Sequence, residues 1–556
     1  MRRTSIEPDE SFMNPGADRS LLSLAHGMLA PAGILALVYF SAVPIHPFAN
    51  VPFGDDWTYA WSVEHLLKTG KLQILDWSIH YPFAQILWGT VFCLPLGFSF
   101  SLLRLSTIVL GWLGALALYG TVREFGRTQA ESLFATLVLI VNPVIFLLSF
   151  SFMTDVPFVS LSNISFFFIT RGLCRRDSFQ VWLGCTFAVC AFFIRQIAIA
   201  IPAAVLLYVL FARSYRSWRY IVPPVTASLF LCLIPFLIGQ AFGLTSQYAG
   251  RTWVFDYWLR HYDQAVPGLL RILVHTGLAL IPISLAAIPS FFRRGLFWGS
   301  IAALFLLTAC SMFFAAEIPQ PLQESWQLST LGSGRYLLRG IAARDFLPSW
   351  LNHFLLVLSL FSSAGIIVKV IDVFRAGTTQ PLGLFVWYAF SHFVLIIVLW
   401  LFVAWGSDRY SVVLLPPLIV ILASSQLASK TALAGIAVLY AVSMLLTWNE
   451  NQTNRATAEA VAWLREKNVP FSSIDAGYVL NGWNLYAHPE NLPPGAMPER
   501  DVPFVTSNEK KPYVIAASPT AGYKVLREYS WSIPFRSLDY KVYVLEQLPK
   551  GSNSEN

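Results

Sequence analysis

The stretch VREFGRTQAESLFATLVLIVNPVIFLLSFSFMTDVPF, residues 122–158, decides the fold of this chain. It opens with the basic residues Arg123 and Arg127, continues as an apolar run, and reaches Asp155 near its end. A basic loop followed by roughly 20 apolar residues is typical of a transmembrane helix with its first end in the cytoplasm. Carboxylates are costly to hold near hydrocarbon, so an aspartate at the far end of such a span is expected to have a function.

The composition of the whole chain has the same character as this stretch. Its 556 residues are 56% hydrophobic and only 12% charged, whereas about a quarter of the residues of an average soluble domain are charged. This excludes a single water-soluble core and predicts a polytopic membrane protein. The net charge of +7 could suggest nucleic-acid binding. The excess is mostly arginine at the ends of apolar runs, so we interpret it as a topology signal and expect no nucleic-acid partner.

Thirteen apolar runs are predicted to span the membrane, and one further run, 82–100, is long enough to compete with them. The thirteen are 21–43, 101–122, 131–150, 156–170, 181–194, 197–212, 220–242, 269–292, 296–316, 350–371, 382–405, 410–424 and 431–448. If 82–100 does not cross, every Lys/Arg cluster between the spans falls on the side of the N-terminus, as cytoplasmic loops require. We therefore predict an interfacial or re-entrant helix at 82–100, with an ordinary span as the alternative.

The predicted fold is an all-α polytopic membrane protein with a small α/β domain at its C-terminus. Residues 1–20 form a cytoplasmic tail, 21–448 the transmembrane domain with its outer loop 44–100, and 449–556 the α/β domain on the outer face. Charged residues return after the last span. A helix is expected at 456–467 and strands at 513–516 and 540–545.

Three aspartates lie on the predicted non-cytoplasmic side. Asp55 and Asp56 follow the first span, and Asp155 lies at the mouth of a later one. Each could cap the helix that follows it, because aspartate is a common N-cap residue. Alternatively, Asp55 and Asp155 meet across the bundle, where they could deprotonate an acceptor or hold a divalent cation such as Mg, Mn or Ca. No other cofactor is predicted.

Cations and aromatic side chains accompany these aspartates on the same side. Arg195, followed by Gln196, interrupts an apolar run, and Arg335 and Arg409 lie in outer loops, the latter beside Tyr410. Such arginines either reach toward the interface or bind a phosphate group bidentately. Tyr59, His80 and Tyr81 belong to an aromatic-rich first loop, which is either an interfacial belt or a wall on which a sugar stacks.

The order of these features resembles a known family. The sequence runs through GDDWTY (54–59), the apolar stretch from Tyr81, LLRLSTIVLGWLGALALYG (102–120), the stretch 122–158, FFIRQ (192–196) and DRYSVVLLPP (408–417). This set resembles the GT-C class of polyprenyl-phosphate-sugar-dependent glycosyltransferases. The branch it resembles contains the aminoarabinose transferase of lipid A, the protein O-mannosyltransferases and the rhizobial lipopolysaccharide core transferases. The similarity is strongest over residues 52–172.

The resemblance implies roles for individual residues. Asp55 matches the family's catalytic aspartate, with Asp56 as the acidic residue that follows it, and Asp155 matches the aspartate of the second outer loop. Arg409 and Tyr410 match an Arg-Tyr pair before a proline-rich span. Many members carry a Lys-Pro or Pro-Pro pair at the start of the re-entrant helix, where this chain has His80-Tyr81-Pro82. Without that lysine, phosphate binding is expected to fall on arginines, for which Arg195, Arg335 and Arg409 are the candidates.

The predicted function follows from the resemblance. The chain would be an inverting membrane glycosyltransferase of a bacterial inner membrane. It would move a single sugar from a polyprenyl-phosphate carrier to a lipid, glycan or protein of the envelope, with Tyr59, His80, Tyr81 and Gln196 contributing to substrate binding. The alternative is a multi-pass transporter or flippase-type protein. Against it, the ionisable groups cluster at one face instead of at mid-membrane.

Overall fold

The computed structural model describes residues 21–78, 80–211, 218–241, 265–284, 295–315, 338–340, 349–376, 381–403, 408–423, 430–498, 502, 511–532 and 539–549. The described chain is mainly helical, with one small sheet near its C-terminus. The helices are α1 (Leu21–Phe40), α2 (Asp56–Thr69), α3 (Phe83–Cys93), α4 (Phe100–Glu124), α5 (Gln129–Ile140), α6 (Pro143–Ser149), α7 (Asp155–Arg175), α8 (Ser178–Phe192), α9 (Ala200–Phe211), α10 (Trp218–Ala241), α11 (Ala265–Ala279), α12 (Gly295–Ala315), α13 (Ser349–Ala376), α14 (Leu382–Val403), α15 (Leu415–Ala423), α16 (Lys430–Glu466) and α17 (Gly477–Asn481).

Several of these helices have the length and apolar composition of membrane spans. Within the described residues, five qualify outright, and a sixth if the bent pair α5 and α6 counts as one span. The five are Gly27–Ile45, Phe100–Glu124, Asp155–Arg175, Trp350–Ala376 and Ala432–Glu466. Other apolar helices have only 10–17 residues, so the predicted total of thirteen spans is not confirmed. Helix α3 has 11 residues and is about 16 Å long, too short to cross a hydrocarbon core of about 30 Å alone.

The predicted span 131–150 is not one straight helix. Helices α5 and α6 meet at an angle of 72°. The break has a local cause, because the side chain of Asn142 accepts hydrogen bonds from the backbone amides of Val144 and Ile145 at 3.1 and 3.3 Å. Pro143 then occupies the first helical position, where its missing N–H is harmless. The sequence Asn-Pro therefore starts a new helix inside a continuous apolar run.

Helices α4 and α7 pack in parallel and set the two ends of the bundle. Their backbones approach closely because Gly114 on α4 faces Ser160 on α7, where a Cβ atom would overlap that serine. At the far end, Arg171 Nη1 lies 2.8 Å from Glu124 Oε1. Helix α7 begins at Asp155 and has 21 residues, which is about 30 Å at 1.5 Å per residue. The end that carries Asp155 is therefore a full span away from the arginine-rich end.

The C-terminal region is built on the last long helix. Helix α16 runs for 37 residues, so the predicted span 431–448 and the predicted helix 456–467 are one continuous helix, and the expected domain boundary falls inside it. Strands β1 (Ile474–Asp475), β2 (Tyr513–Ala516), β3 (Tyr523–Ser532) and β4 (Asp539–Gln547) form a sheet in the order β1-β2-β4-β3.

The strand pairing completes this region. β1 pairs parallel with β2, and β4 pairs antiparallel with both β2 and β3. Of these strands, 513–516 was predicted, and 540–545 lies within β4. The last turns of α16 bury Ala460, Val461 and Leu464 against Ile515 and Val544 of the sheet. We call residues 449–549 the C-terminal unit.

Candidate functional site

The first loop is folded onto the bundle by one buried arginine. Arg104 of α4 is 2% exposed. Its guanidinium donates hydrogen bonds to the backbone carbonyls of Pro47, Ala49 and Val51. The chain then turns at Gly54, whose φ of +54° is a conformation that favours glycine. These contacts fix the direction in which the chain enters α2, and so they place the two adjacent aspartates.

Asp56 joins the first loop to the second. It is fully buried, and its two oxygens accept hydrogen bonds from the backbone amides of Phe53 at 2.7 Å and Phe152 at 3.2 Å. Burial raises the pKa of its carboxyl to about 7, although the charge of Arg104 lowers it. We predicted Asp56 as a substrate-binding residue. Its contacts are instead with the protein backbone, and it has no exposed oxygen to offer a substrate.

Asp55 faces the opposite way from its neighbour and is 32% exposed. Its carboxylate does not cap α2. Instead, Oδ1 accepts a hydrogen bond of 2.6 Å from the hydroxyl of Tyr478, and Oδ2 lies 3.4 Å from Nη1 of Arg409. The carboxylate is thus accessible and held between a tyrosine of the C-terminal unit and an arginine of the 3-10 helix that precedes α15.

Asp155 forms a buried ion pair at the start of α7. Its Oδ1 lies 2.9 Å from Nη2 of Arg195, and the two side chains are 0% and 5% exposed. Nε of Arg195 also donates to the hydroxyl of Thr154 at 2.8 Å. Asp155 does not cap its helix, and its oxygens accept no hydrogen bond from the described residues. The second loop is held in place from α3, because Gln85 Nε2 donates to the carbonyl of Phe152 at 2.7 Å.

Tyr59 lies near four charged side chains, which are those of Asp55, Asp155, Arg195 and Arg409. Burial raises the pKa of its phenol to about 12. The charges of Asp55 and Asp155 also raise this pKa, whereas those of Arg195 and Arg409 lower it. Charges shift a pKa in this way only over short distances, so the two carboxylates and the two guanidiniums, which come from four separate segments of the chain, all lie near the Tyr59 side chain.

His80 and Gln196 complete this group. Nδ1 of His80 lies 3.3 Å from Oε1 of Gln196. Burial lowers the pKa of His80 to about 3, and the charges of Arg195 and Arg409 lower it further. The imidazole is therefore neutral at physiological pH. Nε2 of Gln196 is buried without a hydrogen-bond partner among the described residues, so it is a donor that a ligand could use.

The remaining predicted site residues are Tyr81, Arg335 and Tyr410. Tyr81 stacks on Phe83 with ring centroids 6.3 Å apart. Arg335 lies outside the described residues. Tyr410 belongs to the 3-10 helix Asp408–Leu414, and its side chain lies outside the described part of the chain. Among the described residues, no group of three or more His, Cys, Asp or Glu side chains could hold a metal ion. A cation at the predicted site would have the carboxylates of Asp55 and Asp155 as its ligands, and each of these carboxylates already contacts an arginine.

Sequence reasoning missed several residues of this site. Tyr478 is the most important, since it contacts Asp55 across 423 positions of sequence. Trp77 donates from Nε1 to the hydroxyl of Tyr478 at 3.0 Å. Tyr478 carried no recognisable signal, whereas Trp77 belongs to the aromatic-rich first loop that was predicted to form an interfacial belt or a wall for a sugar; only its contact with Tyr478 was not foreseen. Thr154 could have been found, because it directly precedes Asp155 in the motif that drew attention to that residue.

The arrangement can perform acid–base chemistry beside an anion-binding surface. Asp55 is an accessible carboxylate that can accept a proton. Arg195 and Arg409 are cations that can bind phosphate oxygens. The neutral His80, and Nε2 of Gln196, which has no partner among the described residues, can form hydrogen bonds to a ligand without adding charge.

The model of one protein family matches part of the chain. Residues 80–238 match the family described as Dolichyl-phosphate-mannose-protein mannosyltransferase. This segment contains α3, α4, α7, Asp155 and Arg195. No curated protein sequence matches the chain.

Solved structures similar to the chain share little sequence identity with it. ArnT from Cupriavidus metallidurans in the apo state is 15% identical, with 94% of this chain and 98% of that chain covered and a TM-score of 0.42. The same protein bound to undecaprenyl phosphate is also 15% identical, with 93% of this chain and 97% of that chain covered and a TM-score of 0.42. An oligosaccharyltransferase from Archaeoglobus fulgidus tethered with an acceptor peptide is 13% identical, with 84% of this chain and 59% of that chain covered and a TM-score of 0.46. Over residues 80–238, the resemblance to polyprenyl-phosphate-sugar-dependent glycosyltransferases of the GT-C class is confirmed by the family match.

Proposed function

We propose that this protein is an inverting membrane glycosyltransferase that moves one sugar from a polyprenyl-phosphate donor to an acceptor of the cell envelope. The observation that carries the proposal is the partly exposed carboxylate of Asp55 beside Arg409, together with the buried pair of Asp155 and Arg195. A base for a hydroxyl and cations for a phosphate are the two groups that this transfer needs. The family match over residues 80–238 supports the lipid-phosphate donor.

The reaction is a single displacement at the anomeric carbon. Asp55 takes the proton of the acceptor hydroxyl while the acceptor oxygen forms a bond to that carbon. The bond from the anomeric carbon to the phosphate oxygen breaks, and its electron pair leaves with the polyprenyl phosphate. One displacement from the opposite face inverts the configuration. A positioned general base contributes about 10²–10⁴ to such a rate.

The arginines act on the leaving group. Negative charge develops on the phosphate as the glycosidic bond breaks, and guanidinium groups near it stabilise the transition state. Arg409 is 18% exposed and meets the phosphate directly. Asp155 is buried against Arg195, so we assign Asp155 to positioning that arginine and not to contact with the acceptor. Tyr59, Gln196 and the neutral His80 line the space in which the sugar is held.

We place the site on the non-cytoplasmic face of the membrane. Helices α4 and α7 begin near the site and end at Arg123, Arg171 and Arg175, about one span away. Basic residues mark the cytoplasmic side. The lipid tail of the donor would then lie in the bundle or the bilayer while its phosphate and sugar reach the site at the interface. In a bacterium this membrane is the inner membrane, and the acceptor is a lipid, glycan or protein beyond it.

The test compares Asp55→Asn with Asp76→Asn. Asp76 is a carboxylate of the same loop that accepts a hydrogen bond of 3.1 Å from Tyr486, and an asparagine can still accept it. Purified enzyme is supplied with the lipid and glycan extract of a strain that lacks the gene, in which unspent donor and unmodified acceptor accumulate. Asp55→Asn should lower the rate by about 10²–10⁴, and Asp76→Asn should leave it unchanged. Equal activity of the two variants would refute the role of Asp55.

Two further readouts separate the proposal from its rivals. The anomeric configuration of the sugar, measured by NMR in donor and product, must be opposite. A transporter or flippase would instead move labelled lipid-linked glycan across proteoliposomes without changing its covalent structure. The position of the charged groups at one end of the bundle favours the transferase, because transport sites lie near mid-membrane.

A further inference from the structure

The C-terminal unit docks on α2 through a short segment, residues 477–491. Gly482 of this segment faces the indole ring of Trp57 so closely that a Cβ atom would overlap the ring. The hydroxyl of Tyr486 donates to Asp76 at 3.1 Å. Nε2 of His488 lies 3.0 Å from Oε2 of Glu64 on α2. The segment is therefore held at several points that are independent of the site.

One side chain of this segment enters the site itself. Nε1 of Trp77 donates to the hydroxyl of Tyr478 at 3.0 Å, and that hydroxyl lies 2.6 Å from Oδ1 of Asp55. An indole N–H can only donate, so the tyrosine oxygen accepts from it. The one proton of Tyr478 is then directed to the carboxylate. A distance of 2.6 Å is typical of a hydroxyl that donates to a charged oxygen.

This contact divides the two oxygens of Asp55 between two tasks. Oδ1 is occupied by the short bond from Tyr478. Among the described residues, Oδ2 has only the longer 3.4 Å contact to Arg409, so it is the oxygen available to an acceptor hydroxyl. The terminal torsion of an aspartate is broad. Without Tyr478, the carboxylate could rotate and draw closer to Arg409, which would remove it from the acceptor.

We propose that Tyr478 of the C-terminal unit is a positioning residue for Asp55, which commits Oδ1 and presents Oδ2 to the hydroxyl of the acceptor. The C-terminal unit thereby completes the active site and is more than an appendage to the membrane domain. This inference rests on the proposed function, since it assumes that Asp55 is the base.

The experiment compares Tyr478→Phe with Tyr486→Phe. The two tyrosines lie in the same segment, and their rings both pack against Trp57. Each variant removes one hydroxyl that donates to an aspartate, but only Tyr478 donates to Asp55. Steady-state rates are measured on dilutions of the extract described above. Tyr478→Phe should lower kcat by about tenfold or more with apparent KM changed less than about twofold, because a mispositioned base affects the chemical step and not binding.

Tyr486→Phe should keep kcat within about twofold of the parent enzyme. Binding of undecaprenyl phosphate alone, followed by its thermal stabilisation of each variant, should be unchanged in both. If Tyr478→Phe does not fold, Trp77→Phe is used, because it keeps the tyrosine but removes the donor that directs its proton. That variant should also lower kcat with KM unchanged.

The outcomes separate this inference from the proposed function. If Asp55→Asn is inactive and Tyr478→Phe is as active as Tyr486→Phe, the positioning role is wrong and the proposed function stands. A raised KM with unchanged kcat would also overturn the inference, because Tyr478 would then bind substrate. If Asp55→Asn keeps its activity, the proposed function itself fails.

Discussion

The buried pair of Asp155 and Arg195 allows a quantitative test of the site. Their charged atoms are 2.9 Å apart, and the side chains are 0% and 5% exposed. Coulomb's law at an effective dielectric constant of about 20 gives an attraction of about 6 kcal/mol at this distance. The cost of removing both ions from water cancels much of this attraction, so the net value of the pair is small. Loss of one partner nevertheless leaves an uncompensated buried charge, which typically costs about 3–5 kcal/mol.

The expected results follow for three variants. Asp155→Asn and Arg195→Met should each lower the free energy of unfolding by about 3–5 kcal/mol. The double variant should recover most of that loss, because neither charge remains unpaired. Transfer activity should be low in all three, since the double variant also lacks the guanidinium of Arg195.

The assay is a double-mutant cycle measured twice, by unfolding in SDS and by initial rate on the extract. The double variant should recover stability, whereas its rate should stay as low as that of Arg195→Met. A double variant that recovers its rate together with its stability would refute the reasoning, because Arg195 would then serve only the fold. The same conclusion would follow if Arg195→Met lost stability but kept its rate.

Two further predictions concern the docking of the C-terminal unit. Gly482→Leu should overlap the tryptophan ring it faces, release segment 477–491 and raise its rate of limited proteolysis, whereas Gly299→Leu, with open space around it, should change nothing. Burial opposes a charge on His488, but its bond to Glu64 prevails and raises its pKa, while His488 and Lys68 lower the pKa of Glu64 against the effect of burial. The charged pair therefore stabilises the docking of the C-terminal unit between about pH 4.5 and about pH 6.5, which are the ordinary pKa values of glutamate and histidine. This stabilisation is lost as the pH rises through the raised pKa of His488. In the parent protein, segment 477–491 should therefore be cleaved faster at about pH 8.5 than at about pH 6, whereas in His488→Gln the rate of cleavage should not depend on pH. Equal rates of cleavage at the two pH values in the parent protein would contradict the ion pair.

The mainly helical character of the fold, with several apolar helices, was predictable because its signals are local, whereas the number of spans is not confirmed. An apolar run indicates a helix in its own residues, and arginines at its ends indicate direction. The failures were also local in origin. The Asn142-Pro143 pair breaks one run into α5 and α6, and α16 continues through position 448 because nothing in its sequence stops a helix there.

The site was predictable only as a set of residues. Asp55 and Asp56 are adjacent and chemically identical, so their predicted roles were divided by the family resemblance and not by any property of the two residues themselves. Their difference arises from the amide of Phe152, which comes from another loop and buries Asp56. Tyr478 could not be found at all, because its importance depends on a contact made across most of the chain. A contact between residues so far apart in sequence leaves no periodic pattern from which it could be predicted.

In the proposed reaction, the balance of charge in the site connects the two halves of the chemistry. Before transfer, Asp55 and Asp155 offset Arg195 and Arg409, and His80 is neutral because it is buried and because both arginines lie near it. When Asp55 takes the proton of the acceptor, it loses its charge while the departing phosphate gains one. Arg409, 3.4 Å from Asp55 before the reaction, then has the phosphate as its stronger partner. Activation of the acceptor and stabilisation of the leaving group are thus linked, because the negative charge that Arg409 faces moves from Asp55 to the phosphate. Arg409 then stabilises the transition state more than the bound substrates.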